Sequence, residues 1–202
     1  MSLDATLWVT GFGPFEDVPV NASGLVAERL HGRVVGGCAV VAEVLPTVFG
    51  VARARVAAAV RELAPRAVVA LGVSRDDFVR IERRAAGAVA SARADVAGEV
   101  WAGRSLGAAE LVAAGGEALF YDRWVEAARA VDAQVQRSDD CGGYVCNAVY
   151  HAVLEATGAR VPAVFVHLPR GHDEASLARR AAVVVALLDA MLASATAVEA
   201  RA

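Results

Sequence analysis

Short runs of β-branched and other apolar residues alternate along the chain with alanine- and arginine-rich stretches whose apolar positions recur every three or four residues. The first kind predicts strands at Leu7–Thr10, Ala39–Leu45, Ala67–Leu71, Ala133–Gln136 and Ala163–His167. The second predicts helices over Ser23–Leu30, Val51–Leu63, Asp122–Ala130, Cys146–Ala156 and Glu174–Ala193. Pro65 and Gly158 fall just past two of these helices, where residues that stop a helix belong. From Gly87 to Leu119 neither period holds and Gly and Ala abound, so a long excursion is expected there rather than sheet. Alternating strands and helices are the signature of an α/β fold, here a single-domain three-layer sandwich with a mostly parallel sheet flanked by helices. No repeat or low-complexity linker divides the sequence, so residues 1–202 are expected to form one domain. Met1-Ser2-Leu3 also admits a reading as a cloning remnant.

Composition narrows the function. With 56% hydrophobic and 21% charged residues in 202, a sizeable core is available and global disorder is excluded. The 20 basic and 23 acidic side chains leave a net charge of −3, which gives no electrostatic footprint for nucleic acid or an anionic membrane. A small-molecule partner fits better. Every basic residue is arginine, and the absence of lysine excludes Schiff-base chemistry, a lysine general base and a P-loop. Three cysteines, an odd number, do not form a secreted disulfide framework, and no basic-then-apolar leader is visible. A cytoplasmic location is therefore expected. The apolar stretch Ala181–Leu188 ends at Asp189, short of the roughly 20 residues that span a bilayer.

Gly11-Phe12-Gly13-Pro14-Phe15 follows a predicted strand and begins like a dinucleotide fingerprint, but it lacks the third glycine and places Glu16 where a pyrophosphate would sit. The two aromatics admit either of two roles, gripping a small flat ring or plugging the core beneath the turn. Ser138 to Asn147 forms a polar glycine turn leading into an apolar helix, with Cys146 in its first turn. There the helix macrodipole and unpaired N–H groups favour a thiolate and can hold an oxyanion. A small buried hydrophobe is the competing reading of Cys146. Of the four histidines, His167 stands at the carboxyl end of a predicted buried strand, where open α/β sheets place their ligands. His31 closes a helix and His151 lies within one. Glu82 is a candidate to orient the imidazole, with Asp139, Asp140, Asp173 and Glu174 as competitors and a solvated Glu82–arginine pair as the ordinary alternative.

These blocks together resemble the pyroglutamyl peptidase I family along nearly the whole chain. Val9 to Phe15 followed by Val20-Asn21-Ala22-Ser23 is similar to the family's Thr-Gly-Phe-x-Pro-Phe and Asn-Pro-Ser. Leu45-Pro46-Thr47-Val48-Phe49 is similar to Leu-Pro-Val-x-Phe. Asp139 to Asn147 resembles the nucleophile block, and Val164 to Pro169 resembles the block that supplies the histidine. The resemblance implies a Cys146–His167–Glu82 triad in an α/β fold, removing N-terminal pyroglutamate from peptides as a homo-oligomer, usually a tetramer, with no metal or cofactor. It further implies that Phe12 and Phe15 hold the lactam ring, that Thr47, Tyr144 and Val145 line its pocket, and that Arg93 stands near the oxyanion site. The chain departs from the family at Glu82 to Gly87, where an asparagine is missing, and at Arg93 to Ala97, where an apolar wall and a proline are lost. Cys141 replaces an alanine, which opens a disulfide or a shared metal site.

Two other classes compete. Cys141-x4-Cys146 and His167-x4-His172 superficially form a Cys2His2 zinc set, but their separation and the helix-breaking Pro169 and Gly171 argue against it. A non-catalytic or specificity-shifted homologue acting as an oligomeric binding module is the other alternative, because fold does not guarantee activity.

Overall fold

The computed structural model describes residues 5–16, 18–113, 118–158 and 160–199, so residues 1–3 lie outside it. Four strands form a parallel centre: β1 (Thr6–Phe12), β3 (Cys38–Leu45), β4 (Ala67–Ser74) and β9 (Ala163–Pro169). β2 (Val34–Val35) adds to one edge, while β5 (Arg80–Glu82) and β8 (Gln136–Ser138) extend the other. The seven-stranded order is β2-β3-β1-β4-β9-β5-β8. β2 pairs antiparallel with β3, and β5 pairs antiparallel with β9 but parallel with β8. The mostly parallel sheet expected from the sequence is present.

Alternation along the central strands sorts their side chains onto two buried faces. Val69, Leu71, Val164, Val166 and Leu168 face α1 (Ala22–Leu30), α3 (Ala118–Val131) and α5 (Glu174–Glu199). Trp8, Val68, Ala70, Ala163 and Phe165 face α2 (Phe49–Leu63) and α4 (Val145–Thr157). This is the three-layer sandwich. Trp8 and Phe165 are fully buried, and Phe165 alone stabilises the fold by about 1.5–3 kcal/mol.

Two expectations need correction. The strand expected over Ala133–Gln136 begins only at Gln136, because Asp132 folds the preceding residues into a turn: its side chain accepts the Gln134 N–H and its carbonyl accepts the Val135 N–H. The excursion expected from Gly87 is partly sheet. β6 (Arg84–Ala88) and β7 (Ser105–Val112) form a separate antiparallel pair, with residues 89–104 looping between them. β7 is exposed at most positions, so it never shows the alternation that marks a half-buried strand. Residues 114–117 of that stretch lie outside the described residues.

The turn after β1 is set by close packing. Asn21 caps α1 by accepting the Ser23 N–H and hydroxyl, and its amide donates to the Gly13 carbonyl. Ser23 Oγ in turn accepts the Phe12 N–H at 3.0 Å. This brings the Ser23 carbonyl oxygen within 2.2 Å of where a Cβ on Gly11 would stand. Gly11→Ala is therefore expected to lower stability by about 2–3 kcal/mol, seen as a drop in the urea midpoint with unchanged slope. An unchanged midpoint would mean that β1 and α1 are not locked at this crossing.

Candidate active site

Register alone gathers the site. His167 lies on β9 on the same face as Phe165, flanked by Gly72 of β4 on one side and Arg80 of β5 on the other. Glu82 pairs with Phe165, two residues along, so Arg80, Glu82, Phe165 and His167 share one face of the sheet. Gly72 leaves a gap on that face. A Cβ there would fall 3.0 Å from Cys146 Sγ and 2.8 Å from the Phe165 ring, so the missing side chain is the space the sulfur occupies.

Cys146 reaches that gap from the first turn of α4, one residue after Val145 and two after the N-cap Tyr144. The N-cap residue Tyr144 offers no side-chain cap to this helix start. Its first amides have no intrahelical acceptor and point toward the sulfur's end of the helix. Asn147 anchors the turn by bonding both the N–H and the carbonyl of Ala86 on β6.

The imidazole bridges the other two groups. His167 Nδ1 lies 2.7 Å from Glu82 Oε1, and a carboxylate can only accept, so Nδ1 carries the proton. Cys146 stands close enough to the ring to raise its basicity, and Nε2 is the nitrogen left free for it. Glu82 is fully buried, and Arg80 Nε lies 3.3 Å from its Oε1, supplying the compensating charge. Tyr150 and Tyr121 donate their hydroxyls to the carbonyls of Glu82 and Ile81 and so fix β5 in place. Burial acts to lower the basicity of His167, but hydrogen bonds to Cys146 and Glu82 and their negative fields outweigh it, and the imidazole is pushed up to about 9.

The competing carboxylates are engaged elsewhere. Asp139 makes a two-pronged pair with Arg83, and Asp140 accepts the Gly142 N–H. Asp173 accepts the Ser176 N–H at the start of α5, and Glu174 pairs with Arg29. His151 is buried against the Ala108 carbonyl and His172 is exposed, so neither shares the Cys146 gap. Cys38, Cys141 and Cys146 are all free thiols. Cys141 stands close enough to feel Cys146 and Glu82; burial first, then those two negative fields, push its thiol well up. Among the described residues no group of three or more His, Cys, Asp or Glu side chains is arranged to hold a metal ion.

Two connected spaces open at Cys146. One is a tight pocket of about 20 Å³, lined by Phe12, Phe15, Asn21, Thr47, Val73, Tyr144, Val145 and Cys146. It brings together five of the six residues singled out as substrate-binding. The Thr47 hydroxyl is buried in this apolar setting with no hydrogen-bond partner from the described residues. The other is a wider cleft of about 250 Å³ running past Cys146 and His167. Arg93, the sixth, lines this cleft instead: it pairs with Glu16, and its guanidinium stands over the Phe15 and Tyr144 rings at 5.5 and 5.2 Å. The altered stretch after Arg93 has its own anchors. The Ala94 carbonyl accepts the Tyr144 hydroxyl, and buried Asp95 accepts the Phe49 N–H that opens α2. Sequence reasoning missed Gly72, Arg80 and Val73. Gly72, a lone glycine near the end of an apolar strand, was the one visible signal.

A family profile described as pyroglutamyl peptidase matches residues 5–200. The chain belongs to that family. The pyrrolidone-carboxylate peptidase of Cupriavidus pinatubonensis is 33% identical over 181 residues, covering 85% of this chain and 81% of that protein. The protein of the same name from Mycobacterium tuberculosis is 33% identical over 168 residues, covering 80% and 75%. Two solved structures share the fold. The pyrrolidone carboxyl peptidase of Thermococcus litoralis has a TM-score of 0.83 at 19% identity over 93% of each chain. The pyroglutamyl peptidase I of Bacillus amyloliquefaciens has a TM-score of 0.81 at 23% identity, over 93% of this chain and 95% of that one.

A histidine basicity raised by folding ties stability to pH. The protonated imidazole adds stability in full below about pH 6.5, and that contribution is lost as pH rises through about 9. The stability gap between the unaltered protein and Glu82→Gln should therefore shrink from pH 6.5 to 9 in urea titrations. A constant gap would mean that His167 is neutral in the fold throughout.

Proposed function

We propose that this chain is a cysteine omega-peptidase that removes N-terminal pyroglutamate from peptides through a thioester, with Cys146 as nucleophile, His167 as its acid and base, and Glu82 as the group that orients His167. The observation that carries this reading is the Glu82–His167 hydrogen bond with Cys146 set beside the same imidazole over Gly72, opening onto the small pocket of Phe12, Phe15 and Thr47. The 33% identity to proteins named pyrrolidone-carboxylate peptidase supports the substrate.

The sulfur attacks the pyroglutamyl carbonyl carbon, and the negative charge that develops on oxygen is met by the first amides of α4. The peptide C–N bond then breaks as the imidazolium passes its proton to the departing amine, leaving a thioester. Water gives a proton to His167 as its oxygen attacks the thioester, the C–S bond breaks, and pyroglutamate departs. Glu82 accepts from Nδ1 at every stage, so Nε2 alone exchanges the proton.

Specificity for the closed ring follows from the pocket. Open-chain glutamate carries an amine and a carboxylate whose charges would be buried among Phe12, Phe15 and Val145, at a cost of several kcal/mol. The neutral lactam adds no charge, and its polar edge can pair with the Thr47 hydroxyl. At about 20 Å³ the pocket has room for little more than a water, so ring entry requires Phe15, half-buried on its turn, to swing aside. The intact array speaks against a non-catalytic relative. The reading is completed by a single peptidase domain, working in the cytoplasm as a homo-oligomer, tetrameric by family resemblance; the three free thiols favour a reducing compartment.

Hydrolysis of a fluorogenic pyroglutamyl amide tests this directly. Cys146→Ala and His167→Ala should each abolish turnover, with no further loss in the double variant, because the two act as a unit. Glu82→Gln should give an intermediate loss, while Cys141→Ala and His172→Ala retain most activity. Equal loss from Cys141→Ala would move the nucleophile, and no hydrolysis by the unaltered protein would overturn the function.

Gly72→Ala should fold yet lose at least about a hundredfold in kcat, because its Cβ competes with the sulfur for one position. Iodoacetamide labelling of Cys146 should slow in parallel. Full activity would show that the sulfur works from another place.

A further inference from the structure

Arg80 stands two residues before Glu82 on β5, and register sets it across from His167 on β9. Its Nε lies 3.3 Å from Glu82 Oε1, the same oxygen that accepts from His167 Nδ1. Glu82 is therefore held by two cations at one oxygen whenever the imidazole is protonated. The contact with Arg80 is one of charge, since neither Arg80 Nε nor Glu82 Oε2 has a hydrogen-bond partner among the described residues. At its other end Arg80 pairs through Nη1 with Asp76, 3.1 Å away on the β4–β5 turn. The guanidinium is thus fixed between a partly exposed acid and a buried one.

Arg80 also lines the wider cleft together with Cys141, Cys146 and His167. Its field reaches the loop before α4, where it opposes the burial and the negative neighbours that push the Cys141 thiol up. The other charged groups around the imidazole and the sulfur come from separate elements. Arg75 follows β4, Arg170 follows β9, and Arg93 follows β6. Arg93 pairs with Glu16, and Arg75 and Arg170 are engaged by other groups. Arg80 is tied to Glu82 itself.

A charge count shows what that tie does. The attacking form of the site has a negative Glu82 and a negative sulfur around one imidazolium. Two negative charges and one positive are unbalanced in a buried setting, and a proton on the sulfur is the simplest relief. Arg80 adds the second positive charge, and the count closes at two and two.

We propose that Arg80 is a positioning residue for the reaction: acting through Glu82, it lets Glu82 and the Cys146 sulfur be negative at the same time around one imidazolium. The inference rests on the proposed roles of Cys146, His167 and Glu82 and adds a fourth member to them.

The test follows iodoacetamide labelling across pH, read at Cys146 by peptide mass spectrometry, with hydrolysis of the pyroglutamyl amide measured in parallel. In Arg80→Gln the pH of half-maximal labelling should rise by about one unit, and the acid limb of kcat/KM should rise with it. The rate deficit of this variant should therefore be about tenfold larger on the acid side than on the plateau. Arg80→Lys keeps the charge and should return both limbs close to those of the unaltered protein. Asp76→Asn removes the negative charge that offsets Arg80 and should move the labelling midpoint the other way, to lower pH. These midpoints do not depend on how much folded protein is present, and the Asp76→Asn shift carries the test should Arg80→Gln fail to fold. A loss of rate in Arg80→Gln that is uniform across pH, with the labelling midpoint unmoved, would overturn the proposal and leave Arg80 as a brace for β5. A midpoint that stays or rises in Asp76→Asn would overturn it as well. Absence of hydrolysis by the unaltered protein, with the labelling shifts as described, would sink the peptidase reading alone and uphold the role of Arg80 at the sulfur.

Discussion

The hydrogen bond between Glu82 and His167 is the constraint on which the site depends. A carboxylate with no solvent exposure on an otherwise apolar sheet face is tolerable only with charge and hydrogen-bond partners, and His167 and Arg80 provide them. Removing one partner of such a pair costs about 3–5 kcal/mol, because the other charge is left buried alone. The short strand β5 has this function: it turns against β9 in the antiparallel sense so that Arg80 and Glu82 straddle His167. Tyr121 and Tyr150 hold its carbonyls, and β8 pairs its outer edge. With Nδ1 committed to Glu82, the other ring nitrogen can face only toward the gap above Gly72, and there α4 sets Cys146.

Around that axis the molecule divides its labour by polarity. On one side, Phe12, Phe15, Tyr144 and Val145 make a small apolar pocket with one buried hydroxyl, from Thr47. On the other, arginines face a wider cleft. Arg93 joins the two, since it lies over the Phe15 and Tyr144 rings while its charge faces the cleft and Glu16. The stretch after Arg93, where the chain departs from its family, keeps its place through Asp95, which accepts from Phe49, Ala97 and Glu99. A buried aspartate thus caps α2 from a distance, where Val48 offers no side-chain cap.

Much of the fold was legible because its signals are local. β1, β4 and β9 are apolar runs buried on both faces, β3 is an apolar run with alternate positions buried over its first half, and the five helices carry a clear period. Cys146 and His167 could be singled out from a glycine turn before a helix and from the end of a strand. Glu82 could not be separated from its competitors, because β5 is three residues long and its pairing partner lies 85 positions away along the chain. Similarly long separations hid the roles of Arg80 and Gly72, which matter only through the register that sets them beside His167. β7 was missed for the opposite reason: an exposed strand shows no alternation to read. Phe12 and Phe15, which the sequence left open between core and ring-gripping roles, both line the small pocket, Phe12 buried and Phe15 half-exposed.

The most direct test of the array is the titration of the His167 ring followed by nitrogen-resolved NMR. The imidazole should keep its proton on Nδ1 throughout and titrate near 9, with the transition moving to lower pH in both Glu82→Gln and Cys146→Ala. A transition near the ordinary 6.5, with the neutral ring protonated on Nε2 and no response to either substitution, would contradict a linked Glu82–His167–Cys146 unit.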